Sequence, residues 1–239
     1  MDLGLNGKRA AVAAASKGLG FGVAQALARE GVRVAICGRD EATINAAAAE
    51  IDAVPIVADV GSVEGATGFV RDARAALGGI DILVPNAGGP PAGNFEETTV
   101  DQYLDAFELN CHSAIAMCYE AVPEMRERKW WRIVAITSIA VRQPIANLIL
   151  SNTASAGLTG FLKTLAREIV ADGVTVNSIL PGLHATDRIK HLYGDLSGAG
   201  ALGDPADFGA IATFMCSEPA KFMTGVALPV DGGAYAALL

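Results

Sequence analysis

The sequence predicts an α/β domain built on a doubly wound, seven-stranded parallel sheet. Three observations predict it. Short β-like runs alternate with helix-like segments along the whole chain. Several of the strands are apolar on both faces, as in a sheet covered from both sides. No internal repeat, low-complexity linker or break in composition divides the 239 residues. The chain therefore reads as one domain, 1–239, of a size that buries its core without disulfide or metal staples.

The elements follow in order. Arg9–Ala14 is a compact apolar strand that ends in Ser16-Lys17-Gly18-Leu19-Gly20. Residues 21–30 carry apolar side chains at helical spacing and stop at Gly31. Val32–Cys37 is the second strand, the Ala-rich stretch 41–51 a helix, and Pro55–Ala58 a short third strand. Residues 62–77 form a helix ended by Gly78-Gly79, and Ile80–Val84 a strand leading into Asn86-Ala87-Gly88. Residues 99–127 read as one helix, Arg132–Thr137 as a strand, and 152–171 as a helix closed by Asp172-Gly173. Val174–Leu180 is a strand stopped by Pro181, 205–217 a helix, and Val226–Val230 the last strand. Strands alternating with helices in this way imply a Rossmann sheet. Trp130-Trp131, just before the fifth strand, read as packing or interface residues.

Composition narrows the function. Half the residues are hydrophobic (51%) and only 18% are charged, so the chain is globular. The net charge of −8, with no long run of one sign, argues against a nucleic-acid or anionic-membrane partner. The apolar runs are too short or interrupted to span a bilayer. No basic-flanked apolar leader opens the chain, so a cytoplasmic location is expected. Cys37, Cys111, Cys118 and Cys216 form no CxxC pair, and the three histidines are scattered, so no metal cage is expected.

The first turn carries chemistry. Gly18-x-Gly20 follows a strand and opens a helix, the context in which such glycines let a backbone approach a pyrophosphate. The helix N-terminus adds unpaired N–H groups and partial positive charge. A second strand ends about twenty residues on in a charged residue, as a dinucleotide site requires. That residue is Arg39, which can clamp a 2′-phosphate where a carboxylate would repel it. Lys17 adds a second cation in the turn. The cofactor expected is NADP(H).

With these motifs the chain resembles the short-chain dehydrogenase/reductase family, and within it the 3-oxoacyl-ACP reductase-like members. The resemblance runs from about residue 5 to the C-terminus. The family's T-G-x-x-x-G-x-G turn reads here from Ala13 to Gly20, through Ser16, Lys17, Gly18 and Leu19. Both the Thr and the first Gly are Ala, and an Ala Cβ opposes positive φ and close approach. The family's adenine-facing Asp-Val pair matches Asp59-Val60, and its N-N-A-G motif matches Pro85-Asn86-Ala87-Gly88. Its Pro-Gly matches Pro181-Gly182, its carboxamide-touching Thr matches Thr186, and its C-terminal D-G-G matches Asp231-Gly232-Gly233.

The resemblance implies an Asn-Ser-Tyr-Lys catalytic set, in which the Tyr moves the proton and the Lys lowers the Tyr pKa. Asn110 matches the Asn and Ser138 the Ser. The Tyr and Lys positions hold Ser151 and Ser155, and no Tyr lies between Tyr119 and Tyr193. A serine hydroxyl is a far weaker acid than a phenol. Hydride transfer would then rely on Ser138 and Ser151 to polarise a carbonyl, with water as proton source. His184 and Tyr193 are substitutes to consider, His184 foremost because that loop borders the nicotinamide in family members. The substrate loop, about 183–204, reads as short, Gly-rich and open. Three readings follow. The first is an NADP(H)-dependent oxidoreductase acting on a carbonyl or secondary alcohol through an atypical proton donor. The second is a non-redox enzyme (cyclase, isomerase, lyase or dehydratase) on the same scaffold, and the third an inactive binding subunit. The partner implied is a small-molecule substrate, with a homotetramer or homodimer built on the helices near 99–127 and 152–171.

Overall fold

The computed structural model describes residues 1–194 and 202–238. Seven strands form one sheet in the order β3-β2-β1-β4-β5-β6-β7, every neighbour pair parallel. They are β1 (Arg9–Val12), β2 (Arg33–Gly38), β3 (Val54–Val57), β4 (Ile82–Val84), β5 (Trp131–Ile136), β6 (Val174–Pro181) and β7 (Ala227–Val230). The chain builds outward from β1 to β3, then crosses back so that β4 lies on the other side of β1. Loops that leave β1 and β4 diverge there, and the crevice at their carboxyl ends is where such sheets hold ligands.

Helices cover both faces. On one face lie α3 (Val63–Leu77), α5 (Ser113–Arg128) and α6 (Ile149–Ile169). Phe69, Met117, Trp131 and Leu162 are buried between them and the sheet. On the other face lie α1 (Gly18–Arg29), α2 (Glu41–Glu50) and α8 (Pro205–Met215). Leu27, Ile36, Ile44 and Phe208 fill that side. Strands that feed two cores must be apolar on both faces, which is why β1, β2 and β4 carry no outward polar alternation. Trp131 is fully buried, so it packs the core, while Trp130 lies under Lys8 and Arg132.

α1 and α8 approach backbone to backbone. A Cβ on Gly22 would stand 2.2 Å from the Pro205 carbonyl oxygen, and one on Gly209 would stand 2.1 Å from that of Gly22. No other residue fits at either position.

The structure differs from the sequence expectation in three elements. The single helix expected over 99–127 is α4 (Val100–Phe107) and α5, joined by a π-helical turn at Glu108–His112. The extra residue of a π turn leaves the apolar spacing on either side intact, so periodicity does not report it. Part of the loop expected over 183–204 is a helix, α7 (Asp187–Tyr193), capped by the Thr186 hydroxyl, which accepts from the Ile189 N–H at 3.4 Å. The Gly-rich remainder, 195–201, lies outside the described residues. Finally α1 begins at Gly18 rather than at 21, so the glycine turn is itself the first helical turn.

Candidate active site

The turn after β1 is held on all sides. Ala13 donates its N–H to Val84 O at 3.1 Å, and Ala15 donates to Cys37 O at 2.9 Å. Asn86 donates from Nδ2 to the carbonyls of Ala13 and Ala14, both at 3.2 Å. Ala14, between them, sits at φ +46° and donates to Cys37 Sγ at 3.3 Å. The backbone thus keeps a left-handed residue although no glycine stands there. Gly18 follows at φ +64°. Gly20 has no room for a side chain: a Cβ would meet Ala14 O at 2.7 Å and Asn86 Nδ2 at 2.8 Å. The result is a cradle of exposed backbone at the N-terminus of α1, suited to a pyrophosphate.

The cradle opens into one long cleft of about 1360 Å³. Ser16, Lys17, Leu19, Arg39, Asp59 and Val60 line one end. Arg39 is exposed and makes no ion pair among the described residues. Asp59 accepts the Gly61 N–H at 2.9 Å. Lys17, expected beside the same phosphate as Arg39, pairs with Asp187 at 2.9 Å. That hydrogen bond holds the Asp187 carboxyl below its ordinary range. Ala87 and Gly88 line the middle of the cleft. There too, Pro181-Gly182 turns out of β6 against the segment after β7. Gly182 donates to Val230 O at 3.0 Å, and a Cβ on it would overlap Asp231.

The other end gathers Asn110, Ser138, Ser151 and Ser155 along one wall. Asn110 sits in the π turn. Its Nδ2 donates to Gly88 O at 2.7 Å, while its buried Oδ1 has no partner among the described residues. Ser138 Oγ accepts the Ala140 N–H at 3.1 Å, which leaves its own O–H free to donate. Ser151 and Ser155 lie one helical turn apart on α6, Ser155 almost fully buried. Thr137, not singled out by the sequence, also lines the cleft with a buried, unpartnered hydroxyl.

His184 differs from its expected setting in an open loop. It is only 3% exposed, its ring packs edge-on against Phe208 at 5.0 Å, and its Nδ1 lies 3.2 Å from Gly182 O. The loop around it is stitched to Gly203 by two backbone bonds of 2.9 Å. Arg188, missed by the sequence reading, reaches from α7 across the cleft to Pro90 O at 2.6 Å. The one signal for it was the Thr186 cap.

A doubly wound sheet with a glycine cradle at its switch point and a polar wall beyond defines a dinucleotide-binding oxidoreductase scaffold. The family described as Enoyl-(Acyl carrier protein) reductase matches residues 13–235. The rabbit (Oryctolagus cuniculus) Dehydrogenase/reductase SDR family member 4 is 33% identical over 96% of this chain and 94% of its own. The 3-oxoacyl-[acyl-carrier-protein] reductase of Aquifex aeolicus is 29% identical over 98% of this chain and all of its own. The solved L-sorbose reductase from Gluconobacter frateurii, complexed with NADPH and L-sorbose, superposes with a TM-score of 0.91 at 30% identity over the full length of both chains. The chain belongs to the short-chain dehydrogenase/reductase family of oxidoreductases, which use a nicotinamide dinucleotide. Among the described residues no helix is long and apolar enough to cross a membrane.

Proposed function

We propose that this protein is an NADP(H)-dependent oxidoreductase acting on a carbonyl or secondary alcohol, with water in place of a phenol as the proton carrier. The observation that carries this is the intact cradle: Gly20 lets the start of α1 close against Ala14 O and Asn86, where a Cβ would clash, and Ala14 keeps positive φ without glycine. Gly18, Leu19, Gly20 and Ser16 would hold the pyrophosphate, Arg39 the 2′-phosphate, and Asp59-Val60 the adenine. Asn86, Ala87, Gly88, Pro181, Gly182 and Thr186 would frame the nicotinamide. The nicotinamide supplies or accepts the hydride.

The chain's own part is to polarise and to relay. Ser138, with its lone pair engaged by Ala140, donates its O–H to the substrate oxygen. Ser151 offers a second hydroxyl from α6. The unpartnered Asn110 Oδ1 accepts from a water that carries the proton to or from that oxygen. His184, enclosed by Phe208 and Gly203, positions the loop and takes no part in proton transfer. The same reading expects a homodimer or homotetramer, since Leu104, Phe107 and Tyr119 expose apolar surface along α4 and α5.

The test is a fluorescence titration with NADPH and NADH, followed by a ketone panel. NADPH should bind more tightly, and turnover should follow at a low rate. Arg39→Asp should weaken NADPH by about 10- to 100-fold, the value of a charge-assisted contact, and NADH far less. Equal loss for both nucleotides would sink the 2′-phosphate assignment. A second reading is favoured by one observation: serine hydroxyls occupy both positions where a phenol and an amine would act. On that reading substrate is converted with no change in nicotinamide absorbance.

A further inference from the structure

Arg188 stands out among the cleft's charges. Lys17 is answered by Asp187, and Asp59 by a backbone N–H. Arg188 is half-buried, lines the cleft, and forms no ion pair among the described residues. Its guanidinium lies flat on Gly89, where a Cβ would stand 2.6 Å from one of its nitrogens. One N–H goes to Pro90 O at 2.6 Å. A guanidinium has five N–H donors, so most of the fork is left for a ligand. Burial pulls its pKa down, and Tyr193 is the one neighbour that opposes this. Desolvating a cation without a counter-anion is costly unless an anion arrives.

Its place decides which anion. Gly89 and Pro90 continue directly from Asn86-Ala87-Gly88, and Gly88 O is the carbonyl held by Asn110. Arg188 therefore lies against the loop after β4, beside the carbonyl held by Asn110, while its neighbour Asp187 reaches Lys17 of the glycine turn. Leu183, Leu192 and Tyr193 line the cleft around it. Resting on the reading of this cleft as a carbonyl-reducing site, we propose that Arg188 anchors a carboxylate on the substrate, which makes the substrate class a small oxo acid or hydroxy acid. The geometry suits a planar, two-pronged contact that a lysine would not reproduce.

The test does not depend on turnover. Protein loaded with NADP⁺ forms dead-end complexes with ketones, so binding of pyruvate, acetoacetate and levulinate can be compared with binding of their methyl esters by calorimetry. At least one free acid should bind better than its ester, and Arg188→Met should weaken that acid by about tenfold or more while leaving the esters within about twofold. Arg188→Lys should recover only part of the loss. NADP⁺ affinity and thermal unfolding should be unchanged in Arg188→Met. Equal binding of acids and esters, or no binding of any acid, overturns the proposal. A loss of NADP⁺ affinity overturns it too, by assigning Arg188 to the cofactor's pyrophosphate. Discrimination for the acid without hydride transfer would keep the carboxylate site and overturn the redox reading alone.

Discussion

Ala14 holds φ +46° between two backbone bonds and the Asn86 amide. A non-glycine residue in that region costs about 1–2 kcal/mol, and surrounding bonds must over-determine it. Ala14→Gly should therefore raise the melting temperature by about 2–4 °C and tighten NADPH binding, as read by thermal scanning and titration. Unchanged stability would mean that the turn bears no strain. In the same cleft, Ser151 and Ser155 occupy the phenol and amine positions. Ser151→Tyr with Ser155→Lys should raise carbonyl reduction by about 10²-fold or more, the usual worth of a positioned acid. Neither single substitution should suffice, because the phenol needs the ammonium to lower its pKa. The sequence showed these residues plainly, since side-chain identity at a fixed spacing survives translation into space. It did not show the setting of His184, whose burial depends on Phe208 and Gly203, both remote from the Pro-Gly motif.

The π turn at Glu108–His112 aims the Asn110 amide at Gly88 O and leaves its Oδ1 buried without a partner among the described residues. Such turns recur at functional positions because one added residue rotates a side chain without breaking the helix. They also escape periodicity, which is why α4 and α5 read as one element. Further along α5, Glu120 clamps α3 through Arg74 at 2.8 Å and Arg71 at 3.2 Å. Burial pushes the Glu120 carboxyl up, but the bonds from Arg74 and Arg71 outweigh it and hold it below its ordinary value. Its contribution to stability is present above the ordinary carboxylate pKa. It is lost as pH falls through the lowered folded value. Glu120→Gln should lower the melting temperature by a few degrees at neutral pH, and the gap from the parent should close in acid. A gap that persists at low pH would mean that packing, not charge, joins α3 to α5.

At the scale of the molecule, two cores on either side of one sheet leave little accessible sulfur. All four cysteines are buried, and burial pushes the Cys37, Cys118 and Cys216 thiols to about 12. The native protein should not react with a disulfide reagent, and all four thiols should titrate only after unfolding. Rapid labelling of a folded sample would contradict the packing. The sheet was the most legible feature of the sequence, because strands buried on both faces carry their burial in composition. The helix over Asp187–Tyr193 was the least, since a seven-residue polar helix next to glycine-rich chain has little periodicity to read.

The glycine contact between α1 and α8 also orders events in time. α1 opens the cradle near the start of the chain, yet its outer face is closed by Gly209 and Pro205 near the end. During synthesis the first two strands can emerge and pair early. The helix that carries the nucleotide turn must wait for Pro205–Met215 before its own packing is complete. A ribosome-bound chain stopped before residue 205 would present α1 without the partner that closes on Gly22. Completion of the nucleotide turn's helix thus awaits α8, late in the order of synthesis.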